Sequence, residues 1–135
     1  MTKVFAVALL SFTILALSAT DAGAADRVQP GQWETALRVK SGKPMITKSC
    51  ITAAEARLMN GDLPTMRKYL EDSTAKNTQG RCAFKKVELN GNRVVVTLVC
   101  GKSETVGTTT YHGDHYESSS SGGVTIVGKR LGACP

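Results

Sequence analysis

Two cysteines 18 positions apart, Cys82 and Cys100, bracket the stretch that most constrains how this chain can fold. Between them run Ala-Phe-Lys-Lys-Val-Glu-Leu, then Asn90-Gly91-Asn92, then Arg-Val-Val-Val-Thr-Leu-Val. An Asn-Gly pair between two β-rich runs is a strong hairpin signal. A three-residue loop, with Gly91 or Asn92 at positive φ, sets Leu89 opposite Arg93 and brings Cys82 directly opposite Cys100. A two-residue loop puts the two thiols on opposite faces, because side chains alternate along a strand. The expected bridges are therefore Cys82–Cys100 and, by remainder, Cys50–Cys134. Spacing alone leaves all three pairings of four cysteines open. Metal is the rival use of the thiols, but zinc sites favour close Cys-x-x-Cys pairs, and successive cysteines here stand 32, 18 and 34 positions apart.

Disulfides need an oxidising compartment, and the start of the chain supplies a route to one. Lys3 precedes an almost wholly apolar run from Val4 to Leu17, and small residues ending in Ala22-Gly23-Ala24 come after it. This is the layout of a signal peptide over residues 1–24, with cleavage after Ala24 or Ala25. The apolar run is short of the roughly 20 residues that span a bilayer, so a retained anchor is the weaker reading and none is expected after processing. The mature part, residues 25–135, is read as one β-rich domain. It is small enough that covalent help with stability is expected.

Along that part, Gln32 to Val39 alternates, with Trp33, Thr35, Leu37 and Val39 on one face, and reads as a half-buried strand. Ser41-Gly42-Lys43-Pro44 turns the chain, and Met45 to Cys50 returns. Thr52-Ala-Ala-Glu55 is a capping box opening a helix from Ala53 to Met59, which Asn60-Gly61 ends. Asp62-Leu63-Pro64 restarts it to about Asp72, and Ser73 to Arg81 reads as loop. After the Cys82–Cys100 hairpin come a strand at Glu104 to Tyr111, a turn at His112-Gly113-Asp114 and a sixth strand from His115. Gly128 to Pro135 reads as a basic tail. The fold class expected is mainly β: a curved antiparallel sheet or partial barrel of about six strands, with one short helical segment packed on it and two disulfides.

Several of these features occur together and in order: Pro30-Gly31-Gln32-Trp33-Glu34, Cys50-Ile51-Thr52, the cysteine-flanked hairpin, Tyr111-His112-Gly113-Asp114-His115-Tyr116, and the ending Gly128-Lys129-Arg130-Leu131-Gly132-Ala133-Cys134. The set, over roughly residues 28–134, resembles the exported bacterial family known as domain of unknown function 3617. The resemblance implies a periplasmic or secreted location in Gram-negative bacteria and transfers no catalytic or binding residue. The chain departs from the pattern in two places. Met/Pro-rich turns near the first hairpin shrink here to Lys43-Pro44-Met45, and a last strand usually rich in Met and Thr is replaced by Ser118 to Ser121 and Gly122-Gly123.

Candidate chemistry is sparse. His112, Asp114 and His115 are the densest polar cluster and offer metal-ligand or general-base types, although Gly-Asp is also ordinary turn chemistry. Ser118 to Ser121 near His115 lack the setting of an activated serine. Leu63, Met66 and Leu70 recur at helical spacing and either cover the sheet or line a cavity for a small apolar ligand. The formal net charge of +6 is carried in part by Lys85, Lys86, Arg93, Lys102, Lys129 and Arg130, interleaved with β segments. Such a surface suits an anionic envelope component, and an exported chain with few aromatics is a poor nucleic-acid partner. The expected function is therefore a non-catalytic binding or interaction protein of the envelope, with no cofactor. A carrier of a small apolar ligand and a small metal- or His-dependent enzyme are the alternatives.

Overall fold

The computed structural model describes residues 26–135, so the expected leader lies outside the described residues. The chain forms β1 (Gly31–Arg38), β2 (Met45–Ile51), α1 (Ala53–Met59), α2 (Leu63–Thr78), β3 (Cys82–Asn90), β4 (Arg93–Cys100), β5 (Ser103–Tyr111), β6 (His115–Ser120) and β7 (Thr125–Gly132). The strands make one open antiparallel sheet in the order β2-β1-β7-β6-β5-β4-β3. There are seven strands rather than about six, because the small residues after Ser120 make a turn and the expected basic tail is a strand. Gly128 lies inside that strand for a packing reason: a Cβ there would sit 2.0 Å from the Tyr116 ring.

Both bridges expected from the sequence are formed, Cys50–Cys134 and Cys82–Cys100. The register that delivers the second differs from the one expected. The loop is only Gly91-Asn92, with Gly91 at φ 59° and Asn90 opposite Arg93. One extra residue then enters β3 between Phe84 and Lys86, and this bulge moves Cys82 back opposite Cys100. The short loop and the bulge together achieve what a three-residue loop alone would have done.

The helical segment is longer than expected. α1 carries the capping box: the Glu55 amide donates to Thr52 Oγ1 at 3.2 Å, and the Thr52 amide donates to Glu55 Oε2 at 2.8 Å. The Asp62 carboxylate caps α2 by accepting from the Thr65 amide at 3.0 Å, with Pro64 in the first turn. α2 runs on to Thr78 through residues expected as loop. Ion pairs Arg67–Glu71 and Lys68–Asp72 sit one turn apart along it, and it ends with Gln79 in the left-handed region.

Val28, Trp33, Met66, Val87, Val94 and Tyr111 form the buried core, with Ile51, Met59, Leu70, Phe84, Leu89, Val96 and Tyr116 packed against it. By register, the strand residues in this set all lie on one face of the sheet. Edge strands β2 and β3 both feed the cluster, although six spacings of a flat sheet separate them by roughly 29 Å. The sheet therefore bends toward the helices. Trp33, Tyr116 and Tyr111 run across the bend with ring centroids 5.6 Å apart in each step, and the buried indole N–H donates to the Gln29 carbonyl at 3.0 Å.

Candidate functional site

The polar cluster at the β5–β6 turn is built by backbone pairing. The His112 amide donates to the His115 carbonyl at 2.9 Å, and the Arg130 amide donates to the Asp114 carbonyl at 2.8 Å. From the segment before β1, Gln29 donates to the Gly113 carbonyl and Gly113 donates to the Arg27 carbonyl. The imidazoles of His112 and His115 stack at 4.5 Å, 13° from parallel, and His115 Nδ1 lies 2.6 Å from Asp114 Oδ1. That hydrogen bond, followed by the nearby imidazole charge, holds the Asp114 carboxyl below the usual carboxylate range. Both partners are solvent-exposed. Among the described residues, no group of three His, Cys, Asp or Glu side chains is arranged to hold a metal ion. Ser118 does not join the histidines. It sits three residues beyond His115, so the alternation of β6 turns it to the other face, where its hydroxyl accepts from Thr109 Oγ1 at 2.9 Å.

The apolar triplet is likewise split. Met66 is fully buried in the core, Leu70 packs against that core, and Leu63 is exposed. Met66 fills part of the space between sheet and helix. A groove of about 600 Å³ lies elsewhere, along α1 and α2, lined by Leu58, Pro64, Thr65 and Tyr69 under a rim that includes Glu55 and Lys68. Burial and the neighbouring Glu55 charge push the Tyr69 hydroxyl above its ordinary range. The sequence signal for this groove was weak, because Leu58 and Tyr69 lie on different helices.

Arg27 carries a role that its sequence context hid. Its side chain is buried, and its guanidinium donates to the carbonyls of Met59 (3.0 Å), Gly61 and Gly91 (3.0 Å). It thereby joins the end of α1, the helix–helix link and the β3–β4 turn. Next to it, Asn60 and Val28 exchange two hydrogen bonds of 2.9 and 2.8 Å.

Charge separates along the strands. Because every neighbour is antiparallel, the turns at 39–44, 101–102 and 121–124 and the link at 79–81 share one end of the sheet. Arg38, Lys40, Lys43, Lys76, Arg81 and Lys102 stand at that end, all exposed and none in an ion pair among the described residues. The acid there, Glu104, is matched by Lys85 at 2.9 Å. The remaining described charges, nine basic and nine acidic, cancel, so the net charge of the described residues, also +6, is carried at this end. Of the cations singled out from the sequence, Lys102 is the one that stands at this end without an ion-pair partner among the described residues. Lys85 and Lys86 are tied to Glu104 and Glu88, while Arg93, Lys129 and Arg130 stand toward the opposite end.

No helix among the described residues is long and apolar enough to cross a membrane. No curated protein and no solved structure matches the chain significantly. The family model DUF3617, described as a protein of unknown function, matches residues 28–134, and the chain belongs to that family.

Proposed function

We propose that this is an exported binding protein that acts without catalysis, using a disulfide-stapled sheet to present a basic end to an anionic component of the bacterial envelope. The carrying observation is the segregation of net charge among the described residues: six exposed cations without ion-pair partners at one end, and balanced charge elsewhere. A merely solubilising surface has no need to sort its charges in this way, whereas a surface that meets a polyanion gains from focusing them. Two bridges suit the oxidising compartment to which the layout of residues 1–24 would direct the chain.

The test is binding of the oxidised protein to isolated phosphate-bearing envelope polymer as ionic strength rises from about 0.05 to about 0.3 M. Affinity should fall steeply with salt and vanish in the variant R38E/K40E/K43E/K102E. Salt-independent binding, or full binding by that variant, would overturn the reading. The groove along α1 and α2 favours a second reading, a carrier of a small apolar ligand. Retention of such a ligand by native mass spectrometry, lost in Leu58→Lys, would support it.

A further inference from the structure

The basic end has an apolar component that charge alone does not explain. At the tip of the β1–β2 hairpin, Val39 is 49% exposed, Met45 62% and Ile46 52%, the largest such values among the exposed large hydrophobics. They alternate with cations along the tip: Arg38, Val39, Lys40, then Lys43, Met45 and Ile46. By the pairing of β1 with β2, Leu37 lies opposite Met45, and Arg38 still pairs with Thr125 of β7, so the residues from Val39 to Pro44 project beyond the ladder. The tip is not detached from the rest of that end. The Lys40 side chain lies across Gly123 in the β6–β7 turn, its Cε 3.1 Å from where a Cβ would stand.

A soluble polyanion would be recognised by the lysines and arginines alone. Exposed aliphatic and thioether side chains interleaved with cations match a different chemistry, in which ammonium groups meet lipid phosphates and the apolar groups enter beneath them. We propose that the end bearing the β1–β2 hairpin docks on an anionic bilayer surface, with Val39, Met45 and Ile46 inserted and Arg38, Lys40, Lys43 and Lys102 on the headgroups. The sheet then stands on the membrane with the balanced end, which carries His112 and His115, directed away. This rests on the anionic-partner reading above and names its occupant.

The experiment is co-sedimentation of the full oxidised protein, in the form its own cells hold it, with vesicles of phosphatidylglycerol in phosphatidylcholine. Phosphatidylcholine vesicles and soluble inorganic polyphosphate are the comparison arms. Binding to the anionic vesicles is expected, with V39S/M45S weakening it by roughly tenfold or more. K40Q/K43Q should weaken it by roughly 25-fold, about fivefold per charge. R57Q/K129Q, which removes two exposed charges from the opposite half, should bind nearly as the parent at physiological salt, where the screening length is about 8 Å. The substituted side chains are all exposed, and unchanged melting curves will show that the fold is kept. Equal binding to polyphosphate and vesicles, with V39S/M45S neutral, overturns bilayer docking and leaves the broader reading standing. Binding to none of the anionic arms overturns both.

Discussion

Arg27 links three separate segments through one guanidinium, so its replacement should cost more than an average substitution. Arg27→Ala leaves the half-buried Met59 and Gly61 and the exposed Gly91 without the donor to their carbonyls, and an acceptor that water does not reach costs roughly 1–3 kcal/mol. A loss of about 3–5 kcal/mol by urea unfolding is expected, and a loss under about 1 kcal/mol would show that water replaces the donor. Arg27→Lys should recover little, because an ammonium cannot reproduce the planar fork. Nothing in the sequence marked this residue: an arginine just past an expected cleavage site reads as loop, and its partners are backbone atoms, which leave no pattern. Tyr111 is the opposite case. It was legible as a strand residue, and its burial pushes the phenol up to about 12. The unfolded chain loses that proton near pH 10, so it binds fewer protons than the folded one above that point. Stability should fall from about pH 10 upward, less steeply in Tyr111→Phe, by denaturant titration.

Among the elements, the two helices and the β3–β4 hairpin differ in how much of them was readable. α1 was legible to the residue because its capping box is a local code. The last turns of α2 were not, since a helix whose exposed side is uniformly polar shows no apolar period there. The caps also make the helices acid-sensitive. Hydrogen bonds from Thr52 hold the Glu55 carboxyl below its ordinary range, and those from Thr65 do the same for Asp62. A depressed folded pKa means that the unfolded chain takes up protons first as pH falls. The contribution is therefore complete at neutral pH and is lost from roughly pH 4 downward. Thr52→Ala should lower stability by about 1 kcal/mol at pH 7 and flatten the acid limb, as read by helical circular dichroism. In the β3–β4 hairpin, the bulge was invisible because one extra residue in an edge strand leaves the hydrophobic alternation intact on either side. Deleting Lys85 should restore a regular ladder with Cys82 still opposite Cys100, so thiol titration should find no free cysteine. The straightened, less charged edge should then self-associate more readily than the parent.

At the scale of the molecule, the two bridges close loops of very different length. Sequence separations of 84 for Cys50–Cys134 and 18 for Cys82–Cys100 correspond to about 4.5 and about 3 kcal/mol in the loop-closure model. C50S/C134S should accordingly melt several degrees below C82S/C100S, and the reverse order would mean that the hairpin bridge acts through more than chain entropy. The overall class was readable from strand and turn signals because they are local. The basic end was not, because cations scattered from Arg38 to Lys102 become neighbours only once the strand directions are known. The order of the sheet has a consequence for biogenesis. β1 lies between β2 and β7, so during synthesis it keeps one edge vacant until β7 has been made. A prematurely terminated product would present that vacancy, together with an unmatched Cys50 thiol, to whatever surveys nascent chains.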